Sequence, residues 1–381
     1  MESLEEARKK IDSIDDQMAA LFKQRMDVAK EIGDYKQRNG LQVLNRTRER
    51  EILNRMASAV GPELEGYSKV FYSTLFDLSR SRQRRLMKTE SELAQNIQNA
   101  LKNTPQLFPA KVIAACQGVE GAYSQIACDK IFAIPNIIYF RTFEGVFQAV
   151  QNNLCEYGIL PIENSTAGSV NQVYDMMQRF QFYIVRSIKL RIEHKLLAAN
   201  GVKLSDIKEI FSHQQAIDQC SAFLKQHSNI KVTICENTAM AAKALMESGR
   251  RDAAAISSRD CAELYGLHIL DETVQNSDNN YTRFICISRR LEIYPGANKS
   301  SLMMALPHKP GSLYNVIARF AAAGMNLTKL ESRPIVGKDF EFRFYFDVEG
   351  SIYDPNVVRL FSELDDDLDQ FTYLGSYTEI A

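Results

Sequence analysis

The sequence predicts a multidomain protein with an all-α N-terminal domain, a bilobed α/β middle domain and a small C-terminal domain of βαββαβ order. Apolar residues recur every seven positions between Leu4 and Lys36, which is typical of a long helix packed against other helices. From Lys111 onward, short β-rich runs alternate with helical stretches, which indicates α/β architecture. Beyond Ser301 the order is strand, helix, strand, strand, helix, strand, which is the ferredoxin-like layout.

Composition excludes several classes of protein. A chain of 381 residues is expected to form two or three domains, and a hydrophobic content of 45% can supply their cores. A net charge of -1 argues against a general nucleic-acid or membrane binder. Residues 1–88 nevertheless hold 18 Lys and Arg against 14 Asp and Glu, so positive charge is in excess there.

Cysteine and histidine usage predicts a cytoplasmic protein without a metal. The seven cysteines are scattered and form no CxxC pair, which favours a reducing compartment over a disulfide framework. The five histidines show no metal-ligand spacing. No apolar run is long enough to span a membrane, and the acidic start of the chain enters a helix at once, unlike a signal peptide.

The first helix carries a charge within its apolar seam. Arg25 occupies a seam position, and Lys36 follows about 16 Å further along the axis on roughly the same side. A guanidinium there needs an anionic partner, which is either a buried carboxylate or an anionic ligand held inside a helical bundle. The seam residues are Leu4, Ala7, Ile11, Ile14, Met18, Leu21, Val28, Ile32 and Tyr35.

Three helices are expected in the N-terminal domain. The first covers residues 3–37, the second begins after the N-cap Asn45 and ends near Gly61, and the third runs from Glu63 to Asn103. The first is about 50 Å long, so it needs a partner, most simply a second copy of the chain.

The middle domain is expected to bind a small ligand in the cleft between two lobes. A long strand near residues 182–200 is expected to cross between the lobes. The predicted strands are Lys111–Cys116, Ile137–Arg141, Tyr157–Ile162, Phe182–Asn200, Ile207–Phe211, Lys231–Cys235, Ala253–Ser258, His268–Val274 and Thr282–Arg289.

The C-terminal domain follows a linker that begins at Tyr294. Its predicted elements are strand Ser301–Leu306, helix Ser312–Ala323, strand Asn326–Val336, strand Phe340–Glu349, helix Pro355–Leu364 and strand Thr372–Glu379.

A set of polar residues in the N-terminal domain resembles the all-helical chorismate mutase domain, across residues 1–90. The set is Arg8, Arg25, Lys36, Arg48, Glu49, Ser79 and Gln83. Arg8 and Arg25 lie about 26 Å apart on one helix, so both can line one small pocket only if one comes from a second subunit. The resemblance implies a dimer that builds each pocket from both chains.

The same resemblance implies roles for these residues. Arg8 of the second chain, Arg25 and Arg48 would hold the carboxylates of chorismate, because the rearrangement to prephenate needs positioning and charge stabilisation. Lys36 and Gln83 would face the ether oxygen, Glu49 the hydroxyl, and Ser79 shares the face of Gln83. Asn45 stands where relatives usually carry Asp. We interpret Arg80, Arg82, Arg84 and Arg85 as a solvated charged face.

Residues 110–290 closely resemble prephenate dehydratase. The stretches that carry the resemblance are Gly118–Ser124, Pro161–Val170, Ser212-His213, Gln219-Cys220 and Asn280–Phe284. The family implies that Thr282 is the partner of the leaving hydroxyl, as a donor within a network or through a water. Arg283 is a carboxylate ligand or a structural arginine, and Glu163 binds substrate or holds its loop. The other implied substrate-binding residues are Asn164, Ser165, Thr166, Gln219 and Phe284.

The last domain resembles an ACT regulatory domain. Two stretches carry the resemblance, Pro310–Leu313 at a helix start and Glu331–Pro334 at a strand end. In dehydratases these stretches line a phenylalanine site at a dimer interface. The alternative is a dimerisation module without an effector. Gly311 would let an N–H-rich turn approach the amino-acid carboxylate. The implied effector residues are Gly311, Ser312, Leu313, Glu331, Ser332, Arg333 and Pro334.

Together these resemblances predict a bifunctional, cytoplasmic enzyme of phenylalanine biosynthesis. It would convert chorismate to prephenate and prephenate to phenylpyruvate, with feedback by L-phenylalanine, as a homodimer or higher homo-oligomer and without a cofactor. The predicted domains are a mutase domain (1–90), a linker (91–109), a periplasmic-binding-protein-like dehydratase domain (110–291) and an ACT domain (299–378). Two rival interpretations are a ligand sensor without turnover and a helical nucleic-acid-binding regulator.

Overall fold

The computed structural model describes residues 4–87, 91–335 and 342–380. The chain divides into two compact units, Met1–Glu92 and Leu93–Ala381. Among the described residues, no helix is both long and apolar enough to cross a lipid bilayer. All seven cysteines are free thiols.

The first unit is a set of three helices, α1 (Leu4–Arg38), α2 (Arg46–Val60) and α3 (Glu65–Met87). Asn45 caps α2 as predicted, because its side chain accepts a hydrogen bond from the Arg48 amide. The face of α1 that packs on α3 carries the buried Ala29 and Gly33. A Cβ on Gly33 would lie 3.1 Å from the Gln83 Cα, so glycine lets the two helices approach closely there.

Most apolar residues of the predicted heptad seam of α1 are exposed, whereas Arg25, at one seam position, contacts α3. Ile11, Leu21 and Tyr35 are 58%, 63% and 62% exposed, respectively. The contact with α3 therefore uses a second, narrower face, and a contiguous apolar stripe remains uncovered in the single chain. Exposed apolar stripes of this kind mark interaction surfaces.

The prediction of one helix from Glu63 to Asn103 is wrong. Helix α3 ends at Met87, and a separate helix α4 (Glu92–Asn103) begins beyond residues 88–90, which lie outside the described ranges. Ala94, Ile97 and Ala100 of α4 are buried in a core of the second unit. The segment predicted as a linker (91–109) thus carries a helix whose apolar face stabilises the C-terminal part of the chain.

The second unit contains the remaining elements. Its further helices are α5 (Tyr123–Ile131), α6 (Phe143–Gln151), α7 (Asn171–Phe180), α8 (Gln214–Gln219), α9 (Ser221–Gln226), α10 (Thr238–Ser248), α11 (Arg259–Tyr265), α12 (Ser312–Ala322) and α13 (Pro355–Asp367). Its strands are β1 (Lys111–Gln117), β2 (Ile134–Phe140), β3 (Tyr157–Asn164), β4 (Gly168–Ser169), β5 (Tyr183–Arg191), β6 (Lys195–Ala198), β7 (Glu209–Ser212), β8 (Lys231–Ile234), β9 (Ala253–Ser257), β10 (His268–Asp271), β11 (Tyr281–Ser288), β12 (Lys299–Ala305), β13 (Asn326–Pro334), β14 (Phe342–Glu349), β15 (Phe371–Tyr377) and β16 (Glu379–Ile380).

These strands form three sheets. The first has the order β16-β5-β11-β3-β1-β2, with β4 paired to β3, and the second has the order β10-β6-β9-β7-β8. The first and second sheets are the centres of the two predicted lobes. The third sheet has the order β13-β14-β12-β15, in keeping with the predicted strand and helix order. Val336 and Phe340, at the ends of two predicted strands, lie outside the described residues.

The chain crosses between the lobes where predicted, but not as one continuous strand. Strand β5 lies in the first sheet and β6 in the second, and the crossing breaks at residues 192–194. The amide of Ile192 donates to the Asn280 carbonyl, which keeps the crossing segment beside the start of β11. The break turns the buried His194 side chain into the space between the lobes.

The third sheet is packed between two cores. Helices α4, α12 and α13 share one core with the strands, through residues that include Phe320, Phe346 and Phe361. Met303 and Tyr345 join the core of the first lobe. Strand β16 then pairs with β5 of the first sheet. The C-terminal segment is therefore built into the first lobe through both its sheet face and its last strand.

Candidate active sites

Arg25 in the first unit has no carboxylate partner among the described residues. Its Nη1 donates to the Leu75 carbonyl at 3.2 Å and to the Ser79 hydroxyl, and the guanidinium carbon lies 5.8 Å from the centre of the Phe76 ring. Burial lowers the pKa of Arg25, with a smaller opposing effect of Tyr72. The structure therefore contains a half-buried cation held by neutral groups, as an anion-binding groove requires, in place of a buried ion pair.

Lys36 forms the second cationic position of this groove. Its Nζ donates to Gln83 Oε1 at 3.3 Å and to the Val43 carbonyl at 2.6 Å. Burial lowers the pKa of Lys36, and Glu49 opposes that effect. Ser79 and Gln83 are buried on one face of α3, where Ser79 contacts Arg25 and Gln83 contacts Lys36; we call this part of the contact between α1 and α3 the groove.

The remaining predicted residues of the first unit lie at or beyond the edge of this groove. Glu49 pairs with Arg80, which also contacts Asp77 and whose side chain is only 21% exposed. The interpretation of Arg80 as part of a solvated face is therefore wrong, because the arginine orients a predicted site carboxylate. Arg48 is exposed and pairs with Glu51 at 3.0 Å.

Other charged positions have different surroundings. Arg8 and Arg82 are exposed on their helices, and Asn45 is engaged in capping α2. The side chains of Arg84 and Arg85 lie outside the described residues.

The second unit holds a cleft of about 320 Å³ between its two lobes. Thr282 on β11 is paired with Asn164 at the end of β3, and Asn164 Nδ2 donates to Thr282 Oγ1 at 2.9 Å. Both residues line the cleft. Because Thr282 Oγ1 accepts this bond, its own O–H can be donated to a ligand.

Asn164 determines the shape of the loop that follows β3. Its Oδ1 accepts from the amides of Thr166 and Ala167 at 3.1 and 2.9 Å and from the Thr166 hydroxyl at 2.7 Å. Ser165 bonds instead to the backbone of Asn279 and Tyr281. Ser165 therefore fastens the loop to the start of β11 and does not line the cleft.

Gln219 connects the two lobes across the cleft. Its Nε2 donates to Thr166 Oγ1 at 2.6 Å, and its Oε1 lies 3.0 Å from Asn280 Nδ2 and 2.8 Å from His194 Nε2. Sequence reasoning missed His194, although its position within the predicted crossing strand placed it between the lobes. Phe284 forms part of the apolar wall of the cleft.

Arg283 does not face the cleft, so its predicted role as a substrate-carboxylate ligand is not supported. Neighbouring side chains on a strand point to opposite faces, and with Thr282 in the cleft Arg283 points toward the third sheet. There it is 4% exposed and pairs with Glu163 at 2.6 Å and with Asp347 on β14 at 2.5 Å. Of the two predicted roles of Arg283, the structure therefore supports that of a structural arginine.

Glu163 connects Arg283 to a second cation, which lies on the third sheet. It pairs with Lys329 on β13 at 2.7 Å as well as with Arg283. Burial by itself would raise the pKa of Glu163, but Arg283 and Lys329 outweigh burial and hold the pKa below its usual range. Lys329, Glu163, Arg283 and Asp347 therefore link the third sheet to the strands that carry Asn164 and Thr282.

Replacing Asp347 by Ala should destabilise the second unit by about 3–5 kcal/mol, because it leaves the Arg283 guanidinium buried and short of a partner. The matched control is Asp175→Ala, which breaks the pair of Asp175 with Arg333, in which the aspartate is 57% exposed, and should cost about 0–1 kcal/mol. Urea unfolding followed by far-ultraviolet circular dichroism measures both. Equal losses in the two variants would contradict the importance of the buried network.

The predicted effector residues flank one end of the third sheet. Gly311 has a φ of 85°, a conformation that favours glycine, and precedes α12. Arg333 and Ala305 both lie beside Arg343 in the register, so the end of β13 and the turn before α12 share one end of the sheet. Glu331 accepts from Ser169, and Arg333 contacts Asp175 on α7. Ser332 and Pro334 are exposed.

Comparison with known proteins identifies both units. Residues 7–84 match the family model of chorismate mutase type II, and residues 114–292 match that of prephenate dehydratase. The crystal structure of prephenate dehydratase in complex with L-Phe from Arthrobacter aurescens has 30% sequence identity. It covers 70% of this chain and 90% of that chain, with a TM-score of 0.64.

Two curated relatives extend the match. An Arabidopsis thaliana arogenate dehydratase/prephenate dehydratase is 36% identical over 280 residues, which cover 70% of this chain and 73% of the relative. The bifunctional chorismate mutase/prephenate dehydratase of Aquifex aeolicus is 30% identical over 379 residues, which cover 99% of this chain and 98% of the relative. Since this second match includes both units, the chain belongs to the family of bifunctional chorismate mutase/prephenate dehydratases.

Proposed function

We propose that the two reactions of this bifunctional enzyme take place at the two sites described above. Chorismate would rearrange in the groove between α1 and α3, and prephenate would react in the cleft between the lobes. The observation that carries the proposal is the half-buried Arg25, which has neutral hydrogen-bond acceptors and no carboxylate beside it in the described residues. A dicarboxylate supplies the missing negative charge.

In the groove, positioning and electrostatics supply the catalysis. The rearrangement of chorismate is unimolecular and needs no acid, base or nucleophile, so the protein must hold a folded conformer and stabilise charge on the ether oxygen. Arg25 would bind a carboxylate, and Lys36 with Gln83 would donate to the ether oxygen. Glu49, oriented by Arg80, would accept from the substrate hydroxyl.

A second copy of the chain would complete this groove. Arg8 is about 26 Å from Arg25 along α1, so the same helix cannot bring both to one small substrate. The exposed apolar stripe of α1 provides a surface for a second α1. We therefore propose a homodimer in which Arg8 serves the groove of the partner subunit, with Arg48 beside it.

In the cleft, prephenate loses its ring carboxylate as carbon dioxide and its hydroxyl as water. The dianion takes up one proton, and phenylpyruvate, carbon dioxide and water are the products. The electron pair of the broken carbon–carbon bond enters the ring while the hydroxyl leaves, and aromatisation drives the step. Thr282 would donate a hydrogen bond from its O–H to the leaving oxygen while the proton consumed comes from solvent through a water that Thr282 orients, and Asn164 holds Thr282 in place.

The C-terminal segment would act as an ACT-type, ferredoxin-like domain that binds L-phenylalanine. Gly311, Ser312 and Leu313 would bind the effector together with Ser332 and Pro334 at the same end of the sheet. A route to the cleft is present, because Glu331 contacts Ser169 and Lys329 contacts Glu163, the neighbour of Asn164. Effector binding at the end of β13 would thus change the position of the loop after β3.

A coupled assay tests the proposal. Chorismate supplied alone should yield phenylpyruvate, and added L-phenylalanine should slow the dehydratase step. Samples should be quenched without acid, because prephenate decomposes to phenylpyruvate in acid. Consumption of chorismate without phenylpyruvate would contradict the proposal. Ligand binding without turnover would favour the ligand-sensor interpretation, and DNA binding that falls steeply with salt would favour the regulator.

A further inference from the structure

We infer that the neutral imidazole of His194 accepts, through Nδ1, a hydrogen bond from the hydroxyl group that prephenate loses. The inference deepens the dehydratase function proposed for the interlobe cleft and rests on it. His194 is 3% exposed and lines this cleft together with Thr282. Its Nδ1 has no hydrogen-bond partner among the described residues.

The protonation of the imidazole follows from a chain of hydrogen bonds that starts at the backbone. The amides of Thr166 and Ala167 donate to one atom of the Asn164 side chain, which must therefore be its oxygen. Asn164 Nδ2 then donates to Asn280 Oδ1 at 2.8 Å. Asn280 consequently presents its Nδ2 to Gln219, at 3.0 Å.

The chain ends at the histidine ring. Because Gln219 accepts from Asn280 through Oε1, the His194 nitrogen 2.8 Å from that oxygen must carry a proton. Gln219 Nε2 donates to Thr166 Oγ1, which fixes the same orientation of the amide. With Nε2 protonated in the neutral ring, Nδ1 carries a lone pair and is an acceptor.

An acceptor buried without a donor is costly, and native structures rarely contain one. Most buried polar groups of this cleft are satisfied, including those of Asn164, Gln219 and Asn280. The exception is the buried Nδ1 of His194, a residue in the wall of a cavity of about 320 Å³. The lone pair of His194 Nδ1 is therefore available to accept a hydrogen bond from the ligand.

Prephenate offers only one such donor. At neutral pH its two carboxylates and its ketone can only accept hydrogen bonds, so its hydroxyl is the one polar group with a hydrogen to give. The acceptor at His194 must pair with that hydroxyl if it pairs with the substrate at all. Thr282 presents the complementary group, because its Oγ1 accepts from Asn164 and its O–H remains available to donate to an oxygen. Together the two side chains orient the hydroxyl, with His194 at its hydrogen and Thr282 at its lone pair.

The charge of the ring suits this role. Burial lowers the pKa of His194, the bond to Gln219 opposes that effect, and His213 adds to it. The other titratable groups lining the cleft are Tyr123, His213 and Glu236, while the adjacent Glu193 and Lys195 pair with each other. A lowered pKa favours the neutral imidazole at pH 7, with Nδ1 as an acceptor.

Two substitutions of His194 distinguish the roles of its two ring nitrogens. His194→Gln places an amide nitrogen near the position of Nε2 and retains a donor to Gln219, but it has no acceptor at the position of Nδ1. His194→Asn places an oxygen near Nδ1 and lacks the donor to Gln219. We expect His194→Gln to lower kcat/KM for prephenate about 10–100-fold, and His194→Asn to retain most of it. Far-ultraviolet circular dichroism and urea unfolding of both variants report intact folding of the second unit, which contains His194.

The pH profile provides a second measurement that a structural role would not change. In the wild type, kcat/KM for prephenate should be constant near pH 7 and should fall only as the pH drops below the usual pKa of histidine, where Nδ1 becomes protonated. This decrease of kcat/KM at low pH should disappear in the His194→Asn variant and remain in the control variant His213→Asn.

Three outcomes overturn the inference. The first is a wild-type kcat/KM that rises toward low pH, which would make His194 a proton donor. The second is a decrease of kcat/KM at low pH that persists in His194→Asn. The third is a His194→Gln variant with the wild-type kcat/KM. Failure of the proposed function looks different, because the wild-type enzyme would then leave prephenate unchanged.

Discussion

Replacing Arg25 by Ala should lower the mutase kcat/KM about 10²–10³-fold, because the variant loses the cation that would bind a substrate carboxylate and hold the reactive conformer in place. The guanidinium is half-buried against Ser79 and the Leu75 carbonyl, so alanine leaves this position without a positive charge. Conversion of added prephenate should stay close to the wild-type rate, because the dehydratase cleft lies in a separate compact unit.

The matched control is Arg82→Ala, which removes an exposed arginine from the neighbouring helix. Chorismate consumption followed by its absorbance measures the mutase, and phenylpyruvate formation measures the dehydratase. Loss of both activities would show that the change unfolds the chain or that the activities are not separable. A mutase reduced equally by Arg82→Ala would contradict a specific role of Arg25.

The same variant tests whether the groove is shared. Chains that carry Arg8→Ala, mixed with chains that carry Arg25→Ala, should regain part of the mutase activity if each groove uses one arginine from each chain. Such heterodimers contain one groove with both arginines intact. Proven heterodimers without any rescue would contradict sharing.

Replacing Thr282 by Ala should lower dehydratase kcat about 10²-fold or more, within the range for a positioned proton donor. The variant loses the hydroxyl that faces the cleft, and it leaves Asn164 Nδ2 without one of its acceptors. Thr282→Ser is the matched control, since serine retains a hydroxyl with the same donor and acceptor capacity. The Ser variant should keep a substantial part of the rate.

Single-turnover measurements on added prephenate separate chemistry from product release for both variants. The mutase step should be unaffected, because Thr282 belongs to the second unit. An Ala variant that binds and converts prephenate at the wild-type rate would remove Thr282 from the mechanism. A Ser variant as slow as the Ala variant would indicate that the methyl group, and not the hydroxyl, has the essential role.

The residues of the cleft were predictable to different degrees. Thr282, Asn164 and Gln219 were identified from the resemblance, and they do meet through hydrogen bonds in the cleft. Arg283 was predicted to be either a carboxylate ligand or a structural arginine. The alternation of side chains along β11 sends it to the opposite face, where the third sheet supplies Asp347. His194 belongs to no stretch that carried the resemblance.

In the N-terminal unit, too, some features were predicted correctly from the sequence and others were not. The heptad pattern correctly predicted a long first helix, and the cap at Asn45 correctly predicted the start of the second. The third helix was predicted too long, because residues 91–103 also have helical periodicity. Their apolar face packs in another core, and periodicity does not reveal which core an apolar face will join.

Local pattern was therefore sufficient for most of the order of strands and helices, and the motifs were sufficient for the family, because hydrophobic period, caps and short motifs are encoded by neighbouring positions. Three features required the folded chain. They are the charge network from Lys329 to Asp347, the pairing of Glu49 with Arg80, and the unpaired Nδ1 of His194. Each depends on side chains that are distant in sequence or on the burial of a single atom, and these arise only when the sheets and helices pack.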